Sequence, residues 1–256
     1  MILFISPHLD DIALSCGGMV RRLTRAGNPV LIVTLCTADA PPGQELSPAA
    51  QHEHWQWQLG DQPYFHRRQE DERMAAQLGA QTAHLGLLDA IYRRSGRAGS
   101  TSGVPLYEGK DFMSGRVHPW DWEHQLPAVV EALQRVFATH QPERVYGPLT
   151  AGGHVDHIIT RRALEQLVQP RQLIYYEDYP YAQKDPASLA RLLEGDVQNW
   201  KSQRVELTEE EIASRIAAIA CYRSQLFAVF GDAASMPERV REYISRTGGE
   251  RFWERV

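Results

Sequence analysis

Apolar and polar positions along this 256-residue chain follow two alternating periods. Residues 1–5 and the run PVLIVTLCT from Pro29 are continuous apolar stretches of buried-strand length, the second rich in β-branched residues. Between them Leu14, Met19, Val20 and Leu23 recur at helical spacing. They predict a helix over 13–25, punctuated by Gly27 and Asn28. The alternation continues downstream. RRQEDERMAAQLGA from Arg67 predicts a helix closed near Gly79, and TAHLGLLD a short strand. QLPAVVEALQRVFATH from Gln125 is an amphipathic helix, and RVYGPL from Arg144 a fourth strand. AGGHVDHIITRRALEQLV is a glycine-rich turn entering a helix, and RQLIYYEDY a fifth strand. LTEEEIASRIAAIACYRSQL opens with a capping box, Thr208 at the N-cap and Glu211 three residues later. Residues 38–64 and 92–124 show little periodicity and read as loops, the second as an insertion over one face. In the terminal GERFWE, Phe252 and Trp253 are expected to dock on the body of the domain.

Strand and helix in alternation imply an α/β fold, with a mostly parallel sheet covered on both faces and right-handed crossovers. The expected architecture is a single Rossmann-like domain over 1–256 with strand order 3-2-1-4-5 and loop insertions over the carboxyl edge of the strands. Such sheets bind ligands beyond those carboxyl ends, where strand order reverses. In this order the reversal lies between strands one and four, so SPHLDD and LTAGGHVDH would face each other across one crevice.

Composition narrows the class without changing it. Apolar residues make up 43% and charged residues 23%, and 27 Lys and Arg against 32 Asp and Glu leave a formal charge of −5. Nothing there calls for nucleic-acid or membrane binding. Three cysteines are too few and scattered for a disulfide framework or a thiolate zinc site, and Cys16 and Cys36 read as small buried hydrophobes. Asp10 and Asp11 interrupt the first apolar run, and no run reaches the roughly 18 residues of a membrane span. A cytoplasmic protein is expected, and its apolar loops are compatible with a homo-oligomer.

The facing loops carry the chemistry. His8, Asp10, Asp11, His154, Asp156 and His157 form an oxygen and nitrogen donor set without thiolate. Two imidazoles and one carboxylate suit zinc with a position left for water, and ferrous iron is also compatible. Adjacent aspartates point different ways, so one can bind metal while the other takes a proton. Alone, the first motif could be an N-capping aspartate beside a packed histidine, and HxxH a surface feature. Two such motifs after neighbouring strands favour a metal site and metal-assisted hydrolysis of an amide or ester. Hydrolysis of a phosphoester and non-catalytic carbohydrate binding are the alternatives. Trp55, Trp57, Trp120 and Trp122 could stack on sugar faces or anchor loops. Glu177 and Asp178 could reach the crevice or blunt a sheet edge, and His52, His54 and His66 form a loose cluster.

PHLDD at 7–11 and GGHVDH at 152–157 resemble the two signature motifs of the PIG-L/LmbE-like zinc-dependent de-N-acetylases, and the helix from Arg67 with the following LGLLD resembles the family's intervening segment. The resemblance implies removal of an acetyl group from an N-acetylglucosamine-type sugar or small glycoconjugate. It matches His8, Asp11 and His157 to the metal ligands and Asp10 to the general base. It matches His154 to the residue that stabilises the tetrahedral intermediate and protonates the leaving amine. Asp156 matches a carboxylate that orients a site histidine, and Arg67 and Asp89 match positions that hold sugar hydroxyls. The common first motif reads HPDDE, so Leu9 and Ile12 are departures, and Ile12 removes a negative charge near the site. Some relatives carry a tyrosine where this chain has Gly152, which leaves Tyr92, Tyr107, Tyr146 and Tyr176 as sources of any assisting phenol.

Overall fold

In the computed structural model, which describes residues 1–96, 103–193 and 197–256, seven strands form one sheet. They are β1 (Ile2–Ser6), β2 (Val30–Cys36), β3 (Gln81–Leu87), β4 (Arg144–Pro148), β5 (Leu173–Tyr176), β6 (Trp200–Val205) and β7 (Glu250–Arg255). The helices are α1 (Asp11–Arg25), α2 (Pro48–Trp57), α3 (Pro63–Leu78), α4 (Leu126–His140), α5 (Val155–Leu167), α6 (Tyr181–Lys184), α7 (Pro186–Leu193), α8 (Glu209–Ile219), α9 (Arg223–Phe230) and α10 (Met236–Thr247).

Strand order is β3-β2-β1-β4-β5-β7-β6. The first five strands are parallel in the expected order, and β1 pairs with β4 through Ile2–Arg144, Leu3–Val145 and Phe4–Tyr146. The expected reversal point is therefore real. Successive side chains of a strand point to opposite faces, and here they enter two separate cores. Ile2, Phe4, Val30 and Ile32 pack under α1, α3, α8 and α10. Leu3, Ile5, Leu31 and Val33 pack under α4 and α5. Complete burial of residues such as Leu3, Phe4 and Ile5 contributes about 1.5–3 kcal/mol each, which makes β1 a rigid mount for the loop that follows it.

The sheet extends further than the five expected strands. GERFWE does not merely dock. It forms β7, inserted antiparallel between β5 and β6, with Phe252 in the core. Residues 38–64 are not all loop either. Ser47 accepts from the Ala50 amide at 3.1 Å and Pro48 follows, so the chain enters α2, and α3 already begins at Pro63. In the expected insertion over 92–124, residues 97–102 lie outside the described residues, and the rest covers the site with short turns. Thr208 and Glu211 form the expected capping box.

Helix α1 is broken at Cys16 (φ −148°, ψ 26°). The amides of Gly18 and Met19 beyond the break donate to the Glu250 carboxylate at 2.9 and 2.8 Å. Arg215, fully buried, bonds Glu250 at 3.2 Å and also donates to the Leu14 carbonyl before the break. One ion pair thus satisfies both open ends of the helix. Gly18 serves packing, since a Cβ there would meet Leu207 at 2.5 Å.

Candidate active site

The loop after β1 delivers His8, Asp10 and Asp11, and the loop after β4 delivers His154, Asp156 and His157. All six come together in one cavity of about 300 Å³ or directly beneath it. The rings of His8, His154 and His157 lie with centroids 4.5–5.3 Å apart. One nitrogen from each lies within 4.8 Å of the others.

Hydrogen bonds assign a direction to each ring. His157 meets Asp178 through Nδ1 at 2.7 Å. Its Nε2 is buried without a hydrogen-bond partner among the described residues and lies 3.4 Å from Asp11 Oδ1. His8 meets Asp156 through Nε2 at 3.1 Å, and its Nδ1 lies 3.5 Å from Asp11 Oδ2. Two imidazole nitrogens and a carboxylate thus converge, and each imidazole has a carboxylate behind it, as metal-binding histidines do. His154 differs. As the N-cap of α5 it accepts the Asp156 amide at Nδ1, 3.1 Å, so a neutral ring carries its proton on Nε2 and presents a donor.

The field of the site favours a cation. Burial opposes charge on His157, but Asp11 and Asp178 outweigh it and raise the imidazole to about 9. His8 is likewise raised against its burial by Asp89, Asp11 and Asp156. Burial works against the Asp11 carboxylate too, yet His157 and His8 hold it well below the usual range. His154 goes the other way, lowered by burial and by its two histidine neighbours. An orphaned nitrogen, an ionised aspartate and two imidazoles that attract positive charge together fit a divalent metal.

Asp10 occupies the N-cap position of α1 but makes no cap hydrogen bond, so turn chemistry does not account for it. Its backbone (φ 155°, ψ −23°) is one that non-glycine residues avoid, and it turns the carboxylate toward the cavity. Burial and neighbouring Asp11 raise its pKa to about 7 against Arg67, 3.9 Å away.

Arg67 and Asp89 line the cavity as expected, but both are engaged by the protein. Arg67 donates to the Leu9 carbonyl at 3.1 Å and lies over Trp57 and Tyr64, 4.6 and 5.1 Å from their centroids. With the Gln225 amide turned to satisfy its neighbours, its oxygen accepts from Trp57 Nε1 and Arg67 Nε, each at 3.2 Å. Asp89 accepts the Tyr64 hydroxyl at 2.5 Å and the Ile91 amide at 3.1 Å. Ile12 and Leu9, the departures from the common motif, are buried in the core.

Several expectations are revised. Glu177 does not reach the crevice; it binds Tyr243, Arg251 and Trp253 behind β5. Asp178 does reach it, but to hold His157 and the Ala151 amide. Asp156 answers not only to His8 but to buried Arg93, at 2.6 Å, which also holds Asp121 at 2.9 Å. Arg93 thereby ties the insertion to the site, a role no motif announced. Of the four tryptophans, only Trp57 lines the cavity. His54 is bonded to Tyr92 and His52 stacks on Trp55, and with His66 they make no metal-binding group among the described residues. None of the four proposed tyrosines lines the cavity, whereas Tyr179 and Tyr181 do. A Cβ on Gly152 (φ 89°) would lie 2.5 Å from Tyr181, whose ring meets His157 edge-on at 5.8 Å. The phenol beside this site thus comes from α6, in space that a side chain at 152 would need.

Known proteins resemble this chain in sequence and in fold. The family model PIG-L, GlcNAc-PI de-N-acetylase, matches residues 3–168. The 2'-N-acetylparomamine deacetylase of Streptomyces fradiae is 28% identical over 75% of this chain, which spans 61% of that enzyme. The enzyme of the same name from Niallia circulans is 26% identical, with 98% of this chain and 89% of that one covered. A zinc-inhibited form of teicoplanin deacetylase Orf2 superposes with a TM-score of 0.78 at 27% identity, over 100% of this chain and 97% of that one. No helix among the described residues is long and apolar enough to cross a membrane. From the motif-bearing strand ends through the match over residues 3–168, this chain belongs to the PIG-L family of de-N-acetylases.

Proposed function

We propose that the protein is a metal-dependent N-deacetylase that removes an acetyl group from an N-acetylated sugar. The carrying observation is the convergence of the orphaned His157 Nε2 with Asp11 and His8 Nδ1, beside an Asp10 carboxylate that makes no cap hydrogen bond. His8, Asp11 and His157 would hold zinc, with ferrous iron as the compatible substitute. When bound there, a divalent metal would supply Lewis-acid polarisation of a carbonyl and a lowered pKa for water.

Asp10, with a pKa near neutrality, is suited to take the proton of the attacking water. His154 is suited to donate its Nε2 hydrogen to the carbonyl oxygen as negative charge develops. Its lowered pKa supports that role and not a second one as acid for the leaving amine. That proton is better returned by Asp10. Asp156 and Asp178 orient the ligand histidines from behind, and Tyr181 packs against one of them. Arg67 and Asp89 sit at the cavity wall for sugar hydroxyls. The relatives named above, deacetylases of 2'-N-acetylparomamine and of the teicoplanin pathway, support an amino-sugar substrate.

The test is metal content together with acetate release from N-acetylglucosamine derivatives, for wild type and His157→Ala. Zinc and ferrous iron are titrated separately, because the Orf2 relative has a zinc-inhibited form. One metal per chain with acetate release, both lost in His157→Ala, is the expected result. A folded protein that takes up neither metal would sink the reading. Metal without acetate from any derivative would move the chemistry to another bond.

A further inference from the structure

This chain neutralises its acids almost entirely with arginine: of 27 basic residues only Lys110, Lys184 and Lys201 are lysine. Two of those three line the catalytic cavity. Lys110 precedes the turn Asp111–Met113, whose Phe112 packs on His154 with centroids 5.2 Å apart. Lys184 ends α6, whose Tyr181 packs on His157. Both therefore rise from segments anchored on site histidines. Neither ammonium forms a hydrogen bond or ion pair with a described residue. Partial burial, then Arg239 and Lys110, hold the Lys184 ammonium below its ordinary pKa, so like charges crowd one edge of the mouth. Arginine elsewhere in the chain finds carboxylates in fixed geometry, as Arg22 does with Glu211. A compact ammonium on a flexible stem suits a mobile incoming anion better.

We propose that Lys110 and Lys184 form a subsite for an anionic group, a carboxylate or a phosphate, carried by the amine-bearing part of the substrate. The inference rests on the deacetylase reading. With the acetyl group at the floor beside Asp10 and Asp11, the rest of the molecule extends to the mouth, where the two ammonium groups wait. Of the carboxylates that share the cavity, Asp10, Asp11 and Asp89 belong to the floor. Burial and Asp89 raise the pKa of Glu53 on α2, while Arg67 and Lys110 draw it down. The two ammonium groups thus add positive charge to a lining whose fixed acids lie mostly at the floor.

The probes are four phenyl N-acetyl-β-glucosaminides that differ only in the para substituent: carboxylate, phosphate, neutral carboxamide and cationic aminomethyl. The anionic compounds should exceed the carboxamide about tenfold in kcat/KM, mainly through KM. That corresponds to about 1.4 kcal/mol. The ratio should fall to about one in Lys110→Gln/Lys184→Gln, be partly retained in Lys110→Arg/Lys184→Arg, and shrink at 0.5 M salt. Whichever anion gains more identifies the group. A wild-type ratio near one at low salt, or a ratio unchanged in the glutamine variant, overturns the subsite. If no compound releases acetate, the deacetylase reading fails. Calorimetric affinities of the carboxylate and carboxamide for the metal-loaded protein then decide the subsite separately, by the same ratio.

Discussion

The floor and the mouth of the cavity are built on different terms. At the floor His8, Asp11, His154 and His157 are all buried, and each histidine has one nitrogen fixed by a hydrogen bond. They stand on strand ends and on the first turns of α1 and α5, where the sheet allows little movement. The mouth comes from α2, α6, α9 and the turn at Lys110, and it includes exposed, unpaired groups. Chemistry that fails when reacting groups shift by about 1 Å needs the first kind of mounting. Selection among substrates of different shape and charge can use the second. One family can thus keep a reaction while its members take different amines.

The sharpest way to break this contrast is Asp10→Asn, which removes the proposed base and leaves the proposed ligands in place. Turnover should fall by about 10²–10⁴-fold, with metal content unchanged by elemental analysis. If metal is lost as well, base and ligand are not separable at the floor. Asp178→Asn acts one step back: the expected loss is about 10–100-fold in metal affinity, measured by competition with a chelator. Undiminished affinity would mean that the carboxylate behind His157 is structural only.

Gln225 joins the two regions through Trp57 and Arg67. Gln225→Leu strands two buried donors and should cost about 1–3 kcal/mol in urea unfolding. No loss would show that mouth and floor are not coupled there. The smallest effect concerns pH. His157 has a folded pKa of about 9, above its unfolded value, so its contribution to stability is present below pH 6.5 and lost as pH rises through 9. Metal-free protein should therefore melt a few degrees lower at pH 9 than at pH 6.5, while metal-loaded protein, whose ligand histidines are already deprotonated, should change less. Equal slopes in the two forms would mean that His157 does not meet the metal.

The floor was legible in the sequence because its donors are crowded into two short motifs after two recognisable strands. Asp178 was harder to read. In YYEDY the neighbouring acids point to opposite sides, and only the fold shows that Glu177 turns away while Asp178 meets His157. Tyr181 was missed for a similar reason: its approach to the site depends on the absent side chain at Gly152. Helix α2 lacks an apolar stripe because it buries only Ala49, Ala50 and Trp57, and its one signal was the Ser47-Pro48 start. Strand β7 pairs with β5 and β6, far from it in sequence, and local pattern does not encode such partners.

The ion pair at the break in α1 has a consequence in time. The helix that carries Asp11 is closed by Glu250, a residue made more than two hundred positions later. A ribosome therefore exposes every motif residue, His8 through His157, well before the fastening that completes their scaffold can form. Until residue 250 emerges, the nascent chain holds a donor set whose supporting helix has open amides at its centre. Completion of the α1 scaffold is thus a late event in synthesis, set by the arrival of one carboxylate.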